Sequence, residues 1–394
     1  MTKEALFDFA KKNAPCYIYE KDIIESNCKQ LQNAVKDAEF LYSIKANPFL
    51  PVVETISSQG IGADAASSNE VLLSKQAQIP AEMIYYSAPG KTEQDIIKTW
   101  GKCTFIADSF HELELLEQKT KQENTMLEVG VRIHPNFTMF EGSIVSSKFG
   151  IDEDLLFDTK WNYPHLRLTG IHVHLQSQIL DSSILSRYYH NCYNLAEKVN
   201  SLANANIKFI NFGSGIGIVY DEINEKPLNI SEIGQSIGEI AKKNKEGLNA
   251  KLFLETGRFL TCNAGTYFTP IIDRKISRGK TYVVVQNALN GFLRPTMSEL
   301  LKKALGQASL IAPQEPFFTS VNQCNFSIIE NTNEVEVVDV VGTLCTALDV
   351  MAKDISLPKS DIGDVLAVSN AGSYAFTLSP FAFSSHELPK EYLY

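Results

Sequence analysis

The chain has 394 residues, 44% hydrophobic and 21% charged, with a formal net charge of −10. That size suits two domains, or one large barrel with an appendage, and a large buried core. The negative balance excludes a basic nucleic-acid or anionic-membrane face, and seven scattered cysteines (16, 28, 103, 192, 262, 324, 345) without paired spacing exclude a disulfide framework or zinc site.

Residues 1–6 carry charges where a signal peptide is apolar, and no stretch is long enough to span a bilayer, so a cytoplasmic protein with no membrane partner is expected. Residues 16–19 read as a strand. After it, short apolar runs alternate with amphipathic segments. Strands are predicted at 40–44, 61–64, 83–87, 104–107, 126–133, 168–174, 207–212 and 251–255. Near-continuous apolar runs of this length suit a parallel sheet buried on both faces. Helix starts follow several of them: Ser67-Ser68-Asn69-Glu70 and Ser109-Phe110-His111-Glu112 have capping-box form, and 50–57, 71–77 and 113–118 have helical character. Eight βα units ending near 265 match the ~250 residues of a TIM barrel. Beyond 265 the helical pattern stops, and 267–272, 281–285, 334–340 and 364–368 read as strands of a second, all-β domain.

Polar residues gather at the C-terminal ends of the barrel strands, where such barrels place their chemistry: Lys45, Asp64, Arg132, His174, Gly213 to Gly217, and Glu255 to Arg258. An amine, a carboxylate three residues before a guanidinium, and a bare glycine turn are the parts that pyridoxal 5'-phosphate (PLP) chemistry requires. The amine takes the cofactor as a Schiff base, the acid keeps the pyridine nitrogen protonated, and the turn holds the phosphate. Each part alone has an ordinary explanation. Lys45 could be a solvated lysine, Glu255 and Arg258 a surface ion pair, His174 and Tyr374 core residues, Cys345 a small buried side chain, and Arg294 a surface arginine. Of His172 and His174, only one is expected to point into the barrel, by strand alternation. The conjunction, in this order at these strand ends, carries the inference.

In that combination the residues resemble the fold-type III PLP enzymes, with an alanine-racemase-like α/β barrel and a C-terminal β domain, and within them the ornithine/diaminopimelate decarboxylase branch. The resemblance runs from Tyr17-Ile18-Tyr19 to Tyr374 and beyond. It implies a PLP-binding TIM barrel over 21–265 and a β domain over 266–394, joined by a strand from 1–20. It implies Lys45 as the Schiff-base lysine, Asp64 beside the cofactor with Arg132, His174 stacked on its ring, and Ser177 at the phosphate. Glu255 would face the pyridine nitrogen, Gly215, Gly217 and Arg258 would hold the phosphate, and Tyr374 would close over it. Cys345 resembles the cysteine that a partner subunit inserts, which implies a homodimer with shared sites, a proton donor in Cys345 or Lys45, and no metal.

One departure bears on substrate. Relatives acting on diamino acids carry an acid after that cysteine, where this chain has Thr346; Asp349 could compensate. An acid in the segment before the Arg-Pro pair has become Gln286, while Arg294 remains. An unpaired buried ammonium is costly, so the substrate's far end is expected to be neutral or anionic and to meet Arg294. The Cys345–Thr346 pair and the tail from Phe383 to Tyr394 are similar to the decarboxylases of citrate-based siderophore pathways (staphyloferrin B and rhizoferrin types), implying a citrate-conjugated amino acid. meso-Diaminopimelate, ornithine and lysine decarboxylation are the alternatives.

Overall fold

The structure, a computed structural model, describes residues 3–202, 205–305, 324–329 and 334–394, in two compact units. One comprises Glu25–Ile218 and Pro227–Gly257; the other comprises the chain through Ile24, Val219–Lys226 and Arg258–Tyr394.

The first unit is a closed barrel of eight parallel strands: Glu39–Ser43, Gly62–Ala65, Ile84–Tyr86, Thr104–Ala107, Leu127–His134, Leu166–His172, Ala205–Asn211 and Lys251–Thr256. The last pairs back onto the first, with Glu255 opposite Leu41, which closes the ring. Every predicted barrel strand is present, its ends shifted by two residues or fewer. The interior is packed by Leu41, Tyr85, Ile106, Phe209 and Phe253. Burying each contributes about 1.5–3 kcal/mol. Gly170 is required there, because a Cβ at that position would overlap the Phe209 ring.

Caps fix where the following helices begin. Ser67 accepts the Glu70 N–H ahead of Ser68–Gln76, and Ser109 accepts the Glu112 N–H ahead of Phe110–Gln122. The reciprocal half of each box is diverted. Glu70 accepts from the Ala66 N–H, and Glu112 accepts from the amides of Asp108, Gly90 and Lys91. The full capping box belongs to Thr92 and Asp95 ahead of Glu93–Thr99.

The second unit is an all-β sheet in the order Phe326–Ile328, Val365–Val368, Gly265–Ser277, Lys280–Val285, Val335–Val341, Val350–Pro358. Cys16–Tyr19 runs antiparallel to Gly265–Ser277 and parallel to Lys390–Leu393. Leu6, Cys16, Ile18, Phe268, Val365 and Ala367 form its apolar cluster. The expectation that helices end at 265 is corrected by Leu293–Leu305, a thirteen-residue helix. Its Leu, Met, Lys and Ala content outweighs Asn290 and Gly291 just before it and Pro295 in its first turn, which were read as loop signals. Val350–Pro358 was missed because bulges opposite Val338 and Val340 break the alternation a sequence pattern relies on. Among the described residues no helix is long and apolar enough to cross a membrane, and no cluster of His, Cys, Asp and Glu could hold a metal ion.

Candidate active site

The strand Glu39–Ser43 stops at Ser43, and a one-turn helix, Ile44–Ala46, buries Ile44 and Ala46 while tipping Lys45 outward. The Lys45 side chain is 45% exposed, and its Nζ lies 2.9 Å from Oδ2 of the fully buried Asp64. Register explains the pair, since Asp64 sits opposite Ser43 on the neighbouring strand. The Ser87 hydroxyl donates to the other Asp64 oxygen, so the carboxylate is held on both sides. Nearby, burial pushes the Glu70 carboxyl up to about 6, against the Ala66 N–H and the Lys45 charge, which favour ionisation. Sequence reading had treated Glu70 only as a capping residue. Its place six residues past Asp64 was the available signal.

Asp64 does not pair with Arg132, contrary to expectation. Arg132 Nη1 is 3.7 Å from Oδ1 of Asp108, and Nη2 donates to the His174 carbonyl at 3.4 Å. Again register decides: Ala107 pairs with Val131, which puts the next residue, Asp108, beside Arg132. The Gly150 N–H donates to Asp108 at 2.9 Å, and the Arg132 guanidinium lies 4.3 Å from the Phe149 ring centre. Behind it, the fully buried Lys91 pairs with Glu112 at 2.9 Å and donates to the Ile106 carbonyl.

His172 points inward, with Nε2 3.1 Å from Oε1 of Glu255, while Asn211 Nδ2 donates to the same oxygen at 2.8 Å. His172 and Asn211 were both missed as functional candidates; register puts them on the same inward face as Glu255, since Asn211 pairs with His172 on one side and with Phe253, two residues before Glu255, on the other. The expectation that only one of the two histidines points inward is corrected: residues two apart on a strand share a face, and the strand ends at His172, leaving His174 in the loop that follows. There its Nδ1 accepts the Ser214 N–H at 3.3 Å and its Nε2 is 3.4 Å from the Ser177 hydroxyl. Burial would raise Glu255, yet His172, then Lys45 and His174, hold it well below the carboxylate range. Desolvation drives His174 the other way for a base, down to about 3, with Arg132 and Lys45 adding to the effect and Glu255 opposing it.

The glycine turn is shaped by contact and by φ. Gly213 and Gly215 have φ of +61° and +89°, and a Cβ at Gly213 would meet the Val173 carbonyl oxygen at 2.6 Å. The Tyr188 hydroxyl lies 2.7 Å from the Val173 carbonyl and 2.9 Å from that of Phe212, tying the two strand ends together. Five amides of the turn are bonded internally: Gly213 to Asn211, Ser214 to His174, Ile216 to Ser214, Gly217 to Ile179, and Ile218 to Gln178. The Gly215 N–H alone in this turn has no partner among the described residues. The turn therefore offers Gly215, and not Gly217, as an open donor.

In the second unit, Arg258 stands 5.3 Å from the Tyr374 ring centre and 6.0 Å from that of Tyr220. Arg294, expected to meet substrate, is instead 1% exposed and donates to the carbonyls of Asn370, Ser373 and Tyr374. Asp349 is likewise buried: Oδ1 accepts the Leu289 N–H and Oδ2 the Leu344 N–H, both at 2.8 Å. Neither side chain is presented as the sequence reading expected. Cys345 is exposed, and the Thr346 hydroxyl accepts the Leu348 N–H at 3.2 Å.

The barrel residues suit PLP on three counts. A solvent-reachable lysine amine sits beside a fixed carboxylate, a buried acid stays ionised to face a pyridinium, and one turn amide is open toward a phosphate. The family profile described as pyridoxal-dependent decarboxylase, pyridoxal binding domain, matches residues 21–262. Over 391 residues the chain is 28% identical to L-glutamyl-[BtrI acyl-carrier protein] decarboxylase of Niallia circulans, covering 96% of this chain and 88% of that one. It is 28% identical to diaminopimelate decarboxylase of Aquifex aeolicus, covering 93% and 83%. Diaminopimelate decarboxylase of Helicobacter pylori, solved with L-lysine, superposes with a TM-score of 0.82 at 24% identity over 100% of this chain and 94% of that one, a likeness of fold. Taken with the lysine, acid and glycine turn at the barrel mouth, these matches make the chain a member of the pyridoxal-dependent decarboxylase family, a PLP-dependent decarboxylase.

Proposed function

We propose that the enzyme removes the α-carboxylate of an amino acid whose distal end is conjugated and bears no ammonium, with a citrate-conjugated amino acid of carboxylate-siderophore assembly as the leading substrate. The observation that carries this is the state of Asp349. It is the acid nearest Thr346 in that segment, and both its oxygens are taken by backbone amides of Leu289 and Leu344. A distal ammonium bound there would meet a threonine hydroxyl and no available carboxylate, at a cost of several kcal/mol. This counts against free diaminopimelate, ornithine and lysine. Arg294 gives the reading no support, because its donors face backbone carbonyls. A second reading, a glutamyl group carried on a protein thioester, is favoured by the Niallia circulans relative, whose named substrate is also an amino acid conjugated to a carrier.

In this reading Lys45 would hold the cofactor, with Asp64 keeping its ammonium oriented beside the strand end. Bound PLP supplies the electron sink that makes loss of carbon dioxide possible. Glu255, ionised and fixed by Asn211 and His172, holds a proton on the pyridine nitrogen. His174, kept neutral by burial, would offer a flat uncharged face to the ring. By the resemblance, Gly215, Ser177, Arg258 and Tyr374 would take the phosphate. Cys345, exposed on this chain, would serve the site of a second copy as proton donor, with Lys45 as the alternative donor.

The test is a carbon-dioxide release screen across free diamino acids, their citryl conjugates and a glutamyl carrier thioester. The citryl conjugate should give the highest kcat/KM, and Lys45→Ala should abolish release and borohydride labelling at position 45. Thr346→Glu should shift preference toward free diamines by about tenfold, as one added counter-charge is worth 1–2 kcal/mol in a partly screened site. Robust turnover of diaminopimelate or ornithine with none of either conjugate would sink the substrate assignment.

A further inference from the structure

Arg294 is a buried cation with no carboxylate partner among the described residues. Its fork grips three backbone carbonyls instead: Asn370 from Nη1 at 2.8 Å, and Ser373 and Tyr374 from Nη2, the latter at 3.2 Å. Two of the three belong to residues with unusual backbone. Asn370 and Tyr374 have φ of +56° and +51°, in the left-handed region that non-glycine residues enter at a cost. The segment between them is pinned from the other side, where Ala371 and Gly372 donate to the carbonyls of Gly265 and Cys262. A planar, permanently charged fork is the side chain suited to holding such a turn, since a lysine could not span carbonyls set this way.

The clamp has an aromatic extension. The Tyr220 ring has the Arg294 guanidinium 5.5 Å from its centre and that of Arg258 at 6.0 Å, and Arg258 in turn lies over Tyr374. We infer that Arg294 is a positioning residue for the cofactor's phosphate: it holds the 370–374 turn in its left-handed form so that Tyr374 and Arg258 face each other. This rests on the reading that Arg258 and Tyr374 bind that phosphate. It differs from a substrate-binding role for Arg294, which would govern the choice among substrates and leave cofactor affinity alone.

The discriminating experiment titrates apo-protein with PLP and, separately, with pyridoxal, which lacks the phosphate, following the absorbance of bound cofactor. Arg294→Lys should weaken PLP binding about tenfold, as expected when the competent turn is populated about a tenth of the time, and leave pyridoxal binding unchanged. The kcat/KM ratio between conjugated and free substrates should stay at the wild-type value. Adding Asn370→Gly, which removes the left-handed penalty at one anchor, should recover part of the PLP affinity of Arg294→Lys, or its folded yield should that variant not fold. Unchanged PLP affinity with a shifted substrate ratio would overturn the clamp, as would a double variant no better than Arg294→Lys alone. Wild-type protein that borohydride fails to label at Lys45 would instead remove the reading beneath it.

Discussion

Around Glu255 the charges are sorted by what each group can bond to. Asn211 donates to one Glu255 oxygen, His172 Nε2 lies 3.1 Å from the same atom, and Lys45 adds its field, so the acid stays ionised despite burial. His174 has no comparable partner for a charged form: Nδ1 already accepts the Ser214 N–H, and Arg132 and Lys45 repel a second positive charge. Its folded value near 3 lies below the ordinary 6.5, so between those limits the unfolded chain binds more protons at this site. Stability from His174 is therefore complete above pH 6.5 and lost as pH falls toward 3, with a slope of up to about 1.4 kcal/mol per pH unit. Urea unfolding of apo-protein from pH 4 to 7 should show His174→Gln with a shallower dependence by close to one proton. Parallel profiles would mean that another group titrates.

Among the elements, the strand Leu166–His172 owes its fit to the absence of a side chain. Phe209 from the next strand fills the barrel interior across Gly170, within the cluster of Tyr85 and Phe253. Gly170→Ala should cost about 1–3 kcal/mol of unfolding free energy by overpacking. Adding Phe209→Leu makes room for the new methyl, so the double variant should be less destabilised than the two single effects summed. Simple additivity in the unfolding free energies would show that the ring is not the obstacle. The turn that starts two residues past Asn211 is dictated in the same manner, by a carbonyl and a histidine that leave Gly213 no space for a Cβ.

At the scale of the whole molecule, the net charge of −10 disfavours a nucleic-acid or anionic-membrane partner. Exposed Cys345 leads to a prediction about assembly. Mixing Lys45→Ala with Cys345→Ala subunits should recover about a quarter of wild-type activity at equal random mixing, because half the dimers then hold one intact site of two. Verified mixed dimers without activity would exclude sharing. The parts of the site most legible in the chain were those at strand ends: Lys45, Asp64, His174, the glycine turn and Glu255 lie where the apolar runs stop, and the end of a near-continuous apolar run locates that point to within two residues. By itself the sequence determined the eight-strand barrel, the cofactor class and the decarboxylase family, since these depend on local patterns and on residue order. Tertiary structure alone decided the pairings: Arg132 with Asp108, His172 and Asn211 on Glu255, and Asp349 and Arg294 on backbone groups. Hydrogen-bond partners are set by register between strands and by loops meeting far along the chain, and no periodicity within one segment encodes them.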